Sequence, residues 1–279
     1  MTFDLFQPDM TALWHQVTRQ HLYSSSVDLY LGIGTNHNDV TMVAESAEFE
    51  FDFQDVWLNR QRWTRLVREY LDPQETADFI RRSKVIFEER GKNGVITNMP
   101  FRPVERTDRK HKWGNCLMAA TFRGTPDSEV QPTLTLHSRV SYNAYMLGLD
   151  MCLAHVLARE IVGPENLDRV RIQWHLDVLQ LHSFKSLPYI YTQPDLMKDL
   201  SRTTDVGIKG RNLRKLPTWR SISRWWEKVL EFEDQGKTLE EEKYGPFKRI
   251  RRRYQEYERG ELVPSVTVDT LDLSKLEDQ

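Results

Sequence analysis

The chain has 279 residues, 39 basic and 41 acidic side chains, and a formal net charge of −2. Such a balance gives no general argument for a nucleic-acid binder, which carries a basic excess or a basic face. Its two cysteines, Cys116 and Cys152, argue against a disulfide scaffold and against a cysteine-rich zinc site, and they fit a reducing cytoplasm. The opening "MTFDLFQPDM" lacks a basic region followed by an apolar run, and no uncharged apolar stretch reaches membrane-spanning length. The expectation is a globular cytoplasmic protein whose aromatic residues supply much of its core.

In chain order, "TALWHQVTRQHLY" places Leu13, Val17 and Leu22 along one side of a helix. "GIGTNHND" has the glycines and small polar residues of a turn or loop. "AEFEFDFQ" alternates apolar and acidic residues, which predicts a strand with one buried face. "RWTRLVREYLD" predicts a helix ending before Pro73, and "ETADFIRRSKVIFEERG" a second helix closed by Gly91. "GVITNMPF" is a strand, followed by the basic connection "RPVERTDRKHKW".

"NCLMAATFRG" and "TLTLHSRV" predict two strands joined by the loop "TPDSEVQP". A long helix follows, with Tyr145, Leu149, Leu153, Val156 and Leu157 at helical spacing and a stop at Gly163-Pro164. "RVRIQWHLDVLQLHS" is a long strand, and "WRSISRWWEKVLEFED" an amphipathic helix. The charge-dense stretch around "KRIRRRYQEY" is a solvated helix face or a nucleic-acid patch through residues 248–257, and "VDTLDLSKLEDQ" a frayed tail. Strands with a few long helices packed on them predict an α+β fold with a mixed sheet. Residues 1–200 read as the main domain and 201–279 as its charge-rich helical extension.

Three residues carry chemistry in this pattern. Cys116 opens an apolar strand, and is either a small buried hydrophobe or a nucleophile, which requires a nearby cation to favour the thiolate. Arg139 lies on the next strand, on the face of Thr135 and His137, within reach of Cys116 and suited to clamping an anion. Asp150 sits mid-helix among Met146, Leu147, Leu153 and Ala154, where a carboxylate is costly unless something donates hydrogen bonds to it. His137 beside Ser138 has no evident third group for a hydrolytic triad, and no HExxH, P-loop or GxGxxG pattern occurs.

The order strand, Cys, strand, Ser-Arg, then "LG" and a polar helix residue resembles thymidylate synthases and the related deoxypyrimidine nucleotide hydroxymethylases. In that family an asparagine lies eleven positions after the arginine; here the position is Asp150, in "YMLGLD". "EFEFDFQD" is similar to a family strand, and "RLVREYL" to a helix that carries a glutamate, here Glu69. "LQLHSF" stands where the family has "GDxHxY", giving His182, with His175 and Asp177 of "WHLDV" competing for that role.

The resemblance implies Cys116, Glu69 and Asp150 as catalytic residues and Arg139, Ser138, His182, His175 and Asp177 as substrate contacts. It also implies a homodimer, a pyrimidine nucleoside monophosphate as substrate and 5,10-methylenetetrahydrofolate as one-carbon donor. Thiolate addition at C6 makes C5 nucleophilic enough to accept that carbon. An ionised aspartate only accepts hydrogen bonds and matches the N4 amine of cytosine, so dCMP and C5 hydroxymethylation are expected, as in viruses that modify their DNA. Methylation of dUMP or dCMP, and a non-catalytic nucleic-acid binder of the same fold, are the alternatives. The family's "RTGTG" phosphate loop is missing, the residue after the cysteine is Leu117, Phe184 replaces a tyrosine, and Arg90 and Lys92 are weak matches to its paired arginines.

Overall fold

The computed structural model describes residues 3–25, 28–30, 34–88, 97–100, 116–124, 130–204, 213–234, 252, 254–261 and 266–273. Seven strands form one mixed sheet: β1 (Phe3–Gln7), β2 (Asp28–Tyr30), β3 (Gly34–Ala44), β4 (Thr97–Pro100), β5 (Leu117–Arg123), β6 (Thr133–Tyr142) and β7 (Arg171–His182). Its order is β1-β3-β7-β6-β5-β4, with β2 beside the first residues of β3. β1 runs parallel to β3 and β6 parallel to β7; the other pairings are antiparallel. The α+β expectation with a mixed sheet holds.

Among the described residues, the helices with defined bounds are α1 (Met10–Tyr23), α2 (Arg60–Tyr70), α3 (Pro73–Glu88), α4 (Tyr145–Val162), α5 (Leu187–Thr192), α6 (Pro194–Thr204) and α7 (Pro217–Asp234). Every residue of α4 from Leu147 to Ala158 is buried, as an almost wholly apolar helix must be. It packs on β6 and touches α1, α2 and α3. α3 begins at Pro73, earlier than its apolar pattern suggests, because the Asp72 carboxylate caps it by accepting from the N–H groups of Gln74 and Glu75 at 3.1 Å each. Trp219 and Ile222 of α7 join the same apolar core as α4.

Three expectations need correction. "AEFEFDFQ" is no ladder strand: among residues 47–54 only Asp52 makes a bridge, to Thr267, before a 3-10 turn at Phe53–Val56. Its alternation is nevertheless real, with Ala47, Phe49, Phe51 and Phe53 buried and Glu48 and Glu50 exposed. Alternation reports extended backbone with one buried face, and the hydrogen-bonding ladder is a separate requirement. The second part of "GIGTNHND" is strand rather than turn; Gly34 passes so near Leu181 that a Cβ would lie 2.2 Å from its carbonyl oxygen.

The third correction concerns the tail. Val266, Val268 and Leu271 are buried, and the segment 266–273 is tied down. Trp63 donates to the Asp272 carbonyl at 3.0 Å, Arg60 to that of Thr270 at 2.9 Å, and Arg159 to that of Leu271 at 2.5 Å. The segment therefore joins α2 to α4. Gly91, the connection 101–115 and, of the basic run, Lys248, Arg249, Arg251 and Arg253 lie outside the described residues.

The sheet bends where the chemistry was expected. Positions 39, 139 and 177 of β3, β6 and β7 drop out of the ladder pairings side by side, and Asp39 has a positive φ of 54°. Before the bend Leu134, Leu136, Ser138, Ile172, Trp174 and Leu176 are buried. After it the odd positions Ser141, Leu179 and Leu181 are buried instead. A two-residue repeat that changes phase marks a bulge-like distortion, and such distortions re-aim side chains.

Candidate active site

Cys116 enters β5 next to the bend in β6. The Arg139 N–H donates to the Cys116 carbonyl at 2.7 Å, and the β5–β6 register shifts between Leu117 and Ala119. The thiol is half-buried. The Arg139 guanidinium and the hydroxyl of Tyr70, the last residue of α2, lie near enough to the thiol to act on its titration. Burial pushes the thiol pKa up, and the nearby Asp150 carboxylate adds to the rise; Tyr70 and Arg139 oppose both. The Tyr70 phenol is itself pushed far above its ordinary range, by burial first and then by Asp150 and Cys116, so it stays a neutral donor.

Asp150 is 4% exposed. Ser141, just past the bend, donates to its Oδ2 at 2.6 Å, whereas Oδ1 is buried with no hydrogen-bonding partner in the fold. Burial raises its pKa to about 7, with the Ser141 bond acting against the rise. A buried carboxylate oxygen with nothing to accept from is costly, and a ligand that brings a donor removes the cost.

The α4 start that aims Asp150 is over-determined. Ala144 adopts φ 67°, ψ −87°, a strained turn for a residue with a side chain. Its N–H donates to the Asn143 side-chain oxygen at 2.6 Å, and its carbonyl accepts the Trp14 indole at 2.9 Å. Gly148 faces the Phe51 ring, where a Cβ would sit 2.4 Å from a ring carbon. The glycine of "YMLGLD" thus lets α4 lie against the "EFEFDF" segment.

The remaining sequence-predicted residues divide. Ser138 is buried and its hydroxyl accepts the Trp174 indole N–H at 2.9 Å, so it serves the core. Glu69 accepts from Arg65 at 2.8 Å beside a surface groove shared with Arg60, Arg68 and Asp272, while its charge reaches the Tyr70 phenol. His175 stacks on His137 of β6, 4.9 Å between ring centroids, on the sheet face opposite Leu136 and Trp174. Asp177 is exposed. Neither His175 nor Asp177 joins the cysteine.

His182 ends β7 in an aromatic cluster with Tyr142 at 4.9 Å and Phe184 at 5.8 Å, and Trp225 packs on Phe184 at 5.2 Å. Burial, and then the charge of Lys185, lower the His182 pKa to about 4, so it is neutral at working pH. The tyrosines of the charge-dense segment are structural: Tyr254 and Tyr257 pack on Trp57 at 5.3 and 5.9 Å and on Tyr191. Cys152 is fully buried with its pKa driven well up, and is inert.

Tyr70 escaped the sequence reading. Its signal was the apolar stripe of α2, which runs through the buried Trp63, Leu66 and Val67 to the half-buried position 70, where a phenol stands in place of an aliphatic residue. Among the described residues no group of three or more His, Cys, Asp or Glu side chains is placed to hold a metal ion, and no helix is long and apolar enough to cross a membrane. No protein-family model matches the chain, and no curated protein matches it.

Proposed function

We propose that the chain is a one-carbon transferase of thymidylate synthase type that hydroxymethylates C5 of a pyrimidine nucleoside monophosphate, with dCMP preferred. The observation that carries this reading is the pairing of Arg139 with Cys116 across two adjacent strands, with an unpartnered, buried carboxylate oxygen on Asp150, whose charge reaches the thiol. Nucleophile, cation and base-reading group are the set that the resemblance requires, and they come from two adjacent strands and a helix.

The Cys116 thiolate would form a bond to C6, and the C5–C6 π electrons would pass through C4 to N3, leaving C5 nucleophilic. C5 would bond to the methylene carbon of the co-substrate 5,10-methylenetetrahydrofolate; after the C5 proton is lost, the tetrahydrofolate amine would leave, water would add to the exocyclic methylene, and the S–C6 bond would break to return the thiolate. Arg139 would hold the nucleotide phosphate near Cys116, whose carbonyl already accepts its N–H. Glu69 would accept the C5 proton through ordered water, its carboxylate being half-exposed at the end of α2 beside Tyr70.

Asp150 would read the base. Ionised, it accepts from the N4 amine of cytosine and repels the O4 of uracil; protonated, it pairs with either. Of the earlier substrate contacts, His182 fits the sugar as a neutral hydrogen-bonding ring; Ser138, His175 and Asp177 serve elsewhere. The packing of Tyr254 and Tyr257 into the fold removes the aromatic half of the nucleic-acid reading. A homodimer would bury the half-covered sheet face that bears Thr135, His137 and His175.

The deciding measurement is tritium release from dCMP labelled at C5, in the presence of methylenetetrahydrofolate. Wild type releases tritium, Cys116→Ala does not, and the product gains the mass of a hydroxymethyl group. A methyl mass assigns the alternative outcome on the same machinery. Release that survives Cys116→Ala overturns the reading.

A further inference from the structure

We infer that the outer face of α2 is a second ligand site, one that binds a phosphate-bearing anion. The inference stands apart from the function proposed above and does not rest on it. α2 reads RQRWTRLVREY, with arginines at 60, 62, 65 and 68 against a single glutamate, Glu69. Its apolar face, Trp63, Leu66 and Val67, is spent on the core. Arg60, Thr64 and Arg68 follow one another at four-residue steps on the other side, with Gln61, Arg65 and Glu69 beside them. Together with Trp63 and Asp272 these residues line an open groove of about 730 Å³, the size of a site for a nucleotide-sized ligand. Cys116, Arg139 and Asp150 are not in its lining.

Among the described residues, three guanidiniums and two carboxylates border the groove. Two of the arginines are partly answered. Arg65 donates to Glu69 at 2.8 Å, and Arg60 donates to the Thr270 carbonyl at 2.9 Å with the Asp272 carboxylate 3.8 Å away. Both carboxylate pairs are solvent-exposed, so each holds its arginine only weakly. Arg68 is exposed and has no carboxylate partner among the described residues. The chain as a whole carries a net charge of −2, so the arginine excess on α2 is a local feature. Arg65 and Arg68 lie one helical turn apart and present two planar forks to one point. A phosphate, with several oxygens around one centre, accepts from both forks at once. The groove is held by the fold: the Trp63 indole N–H donates to the Asp272 carbonyl at 3.0 Å and ties the helix to the opposite wall.

Calorimetric titration of the full chain with inorganic pyrophosphate, at low and at physiological ionic strength, tests the site. The expected result is binding that weakens with salt and weakens roughly ten-fold in Arg68→Gln. Arg81→Gln removes an exposed arginine from α3, and Arg139→Gln removes the one assigned to the nucleotide; neither should change the affinity. Thermal melting checks that each variant is folded, and should Arg68→Gln not fold, Arg65→Gln carries the same expectation. No binding at low salt overturns the inference. So does an equal loss in Arg68→Gln and Arg81→Gln, which reduces the effect to general attraction, or a loss confined to Arg139→Gln, which moves the anion to the active site. Competition against pyrophosphate then identifies the source of the phosphate. A short oligothymidylate that displaces it at lower concentration than thymidine monophosphate assigns a nucleic-acid backbone, and the reverse order assigns a small phosphate ester. Pyrophosphate binding that depends on Arg68, in a protein that releases no tritium from any pyrimidine nucleotide, overturns the proposed function and leaves this site standing.

Discussion

His137 and Arg139 lie two residues apart on β6, yet they belong to regions with opposite properties. Around His137 the open sheet face pairs polar groups with one another: the ring stacks on His175, whose nitrogens lie 3.0 Å from Gln173 Nε2 and 3.5 Å from Thr41 Oγ1. Around Arg139 the groups crowd a thiol, and one carboxylate oxygen of Asp150 is buried without a donor. Polar side chains on the open face have local partners and access to water. Those past the bend sit under helices, where each unsatisfied group costs free energy unless a ligand answers it. Both regions contain hydroxyl and other polar side chains on neighbouring strands, and composition alone does not tell them apart.

The sharpest contrast is in pH dependence. An unfolded Asp150 loses its proton near 3.8, whereas the folded one keeps it to about 7. Between those values the folded state binds more protons, so stability falls as pH rises through the window, and the full penalty, on the order of 4 kcal/mol, is present above it. Asp150→Asn removes that slope. Its stability relative to wild type should climb between pH 5 and pH 8, as read from urea unfolding, and a parallel pair of curves would show that Asp150 is not held in its neutral form. The same titration predicts that the dCMP-over-dUMP preference in tritium release rises with pH through 7 in the wild type and stays flat in Asp150→Asn.

Gly148→Ala presses a methyl group into the Phe51 ring and should lower stability by about 2 kcal/mol. Thermal melting together with the pH midpoint of iodoacetamide labelling at Cys116 separates loss of fold from loss of site. Ser138→Ala leaves the Trp174 indole without its acceptor, a loss of roughly 1–3 kcal/mol, with the Cys116 midpoint unchanged. A moved midpoint would place Ser138 back among the site residues. The smallest effect belongs to the open face: His175→Gln should change stability by less than about 0.5 kcal/mol and leave the labelling profile untouched. A large shift there would erase the distinction between the two regions.

The sequence showed the α4 pattern, the β5–β6 pair and the oddity of a carboxylate at position 150, because each rests on local periodicity. It also placed Cys116 against Arg139, since strands joined by a short loop lie side by side. Ser138, His175 and Asp177 entered as substrate contacts through the resemblance, which carries no information about the aligned interruption at 39, 139 and 177; no strand taken alone shows that interruption either. Glu69 and Tyr70 are neighbours in the chain, and which of them meets the cysteine depends on how α2 is rolled. That roll is set by Trp63 and by residues 266–273, about two hundred positions away.

That remote tether has a practical and a temporal consequence. Residues 266–273 leave the ribosome long after α2 and α4, the helices they fasten together, so the helices beside the thiol are fastened late in synthesis. A bulky fusion that disturbs the tether would therefore loosen Tyr70 without touching any group near the sulfur.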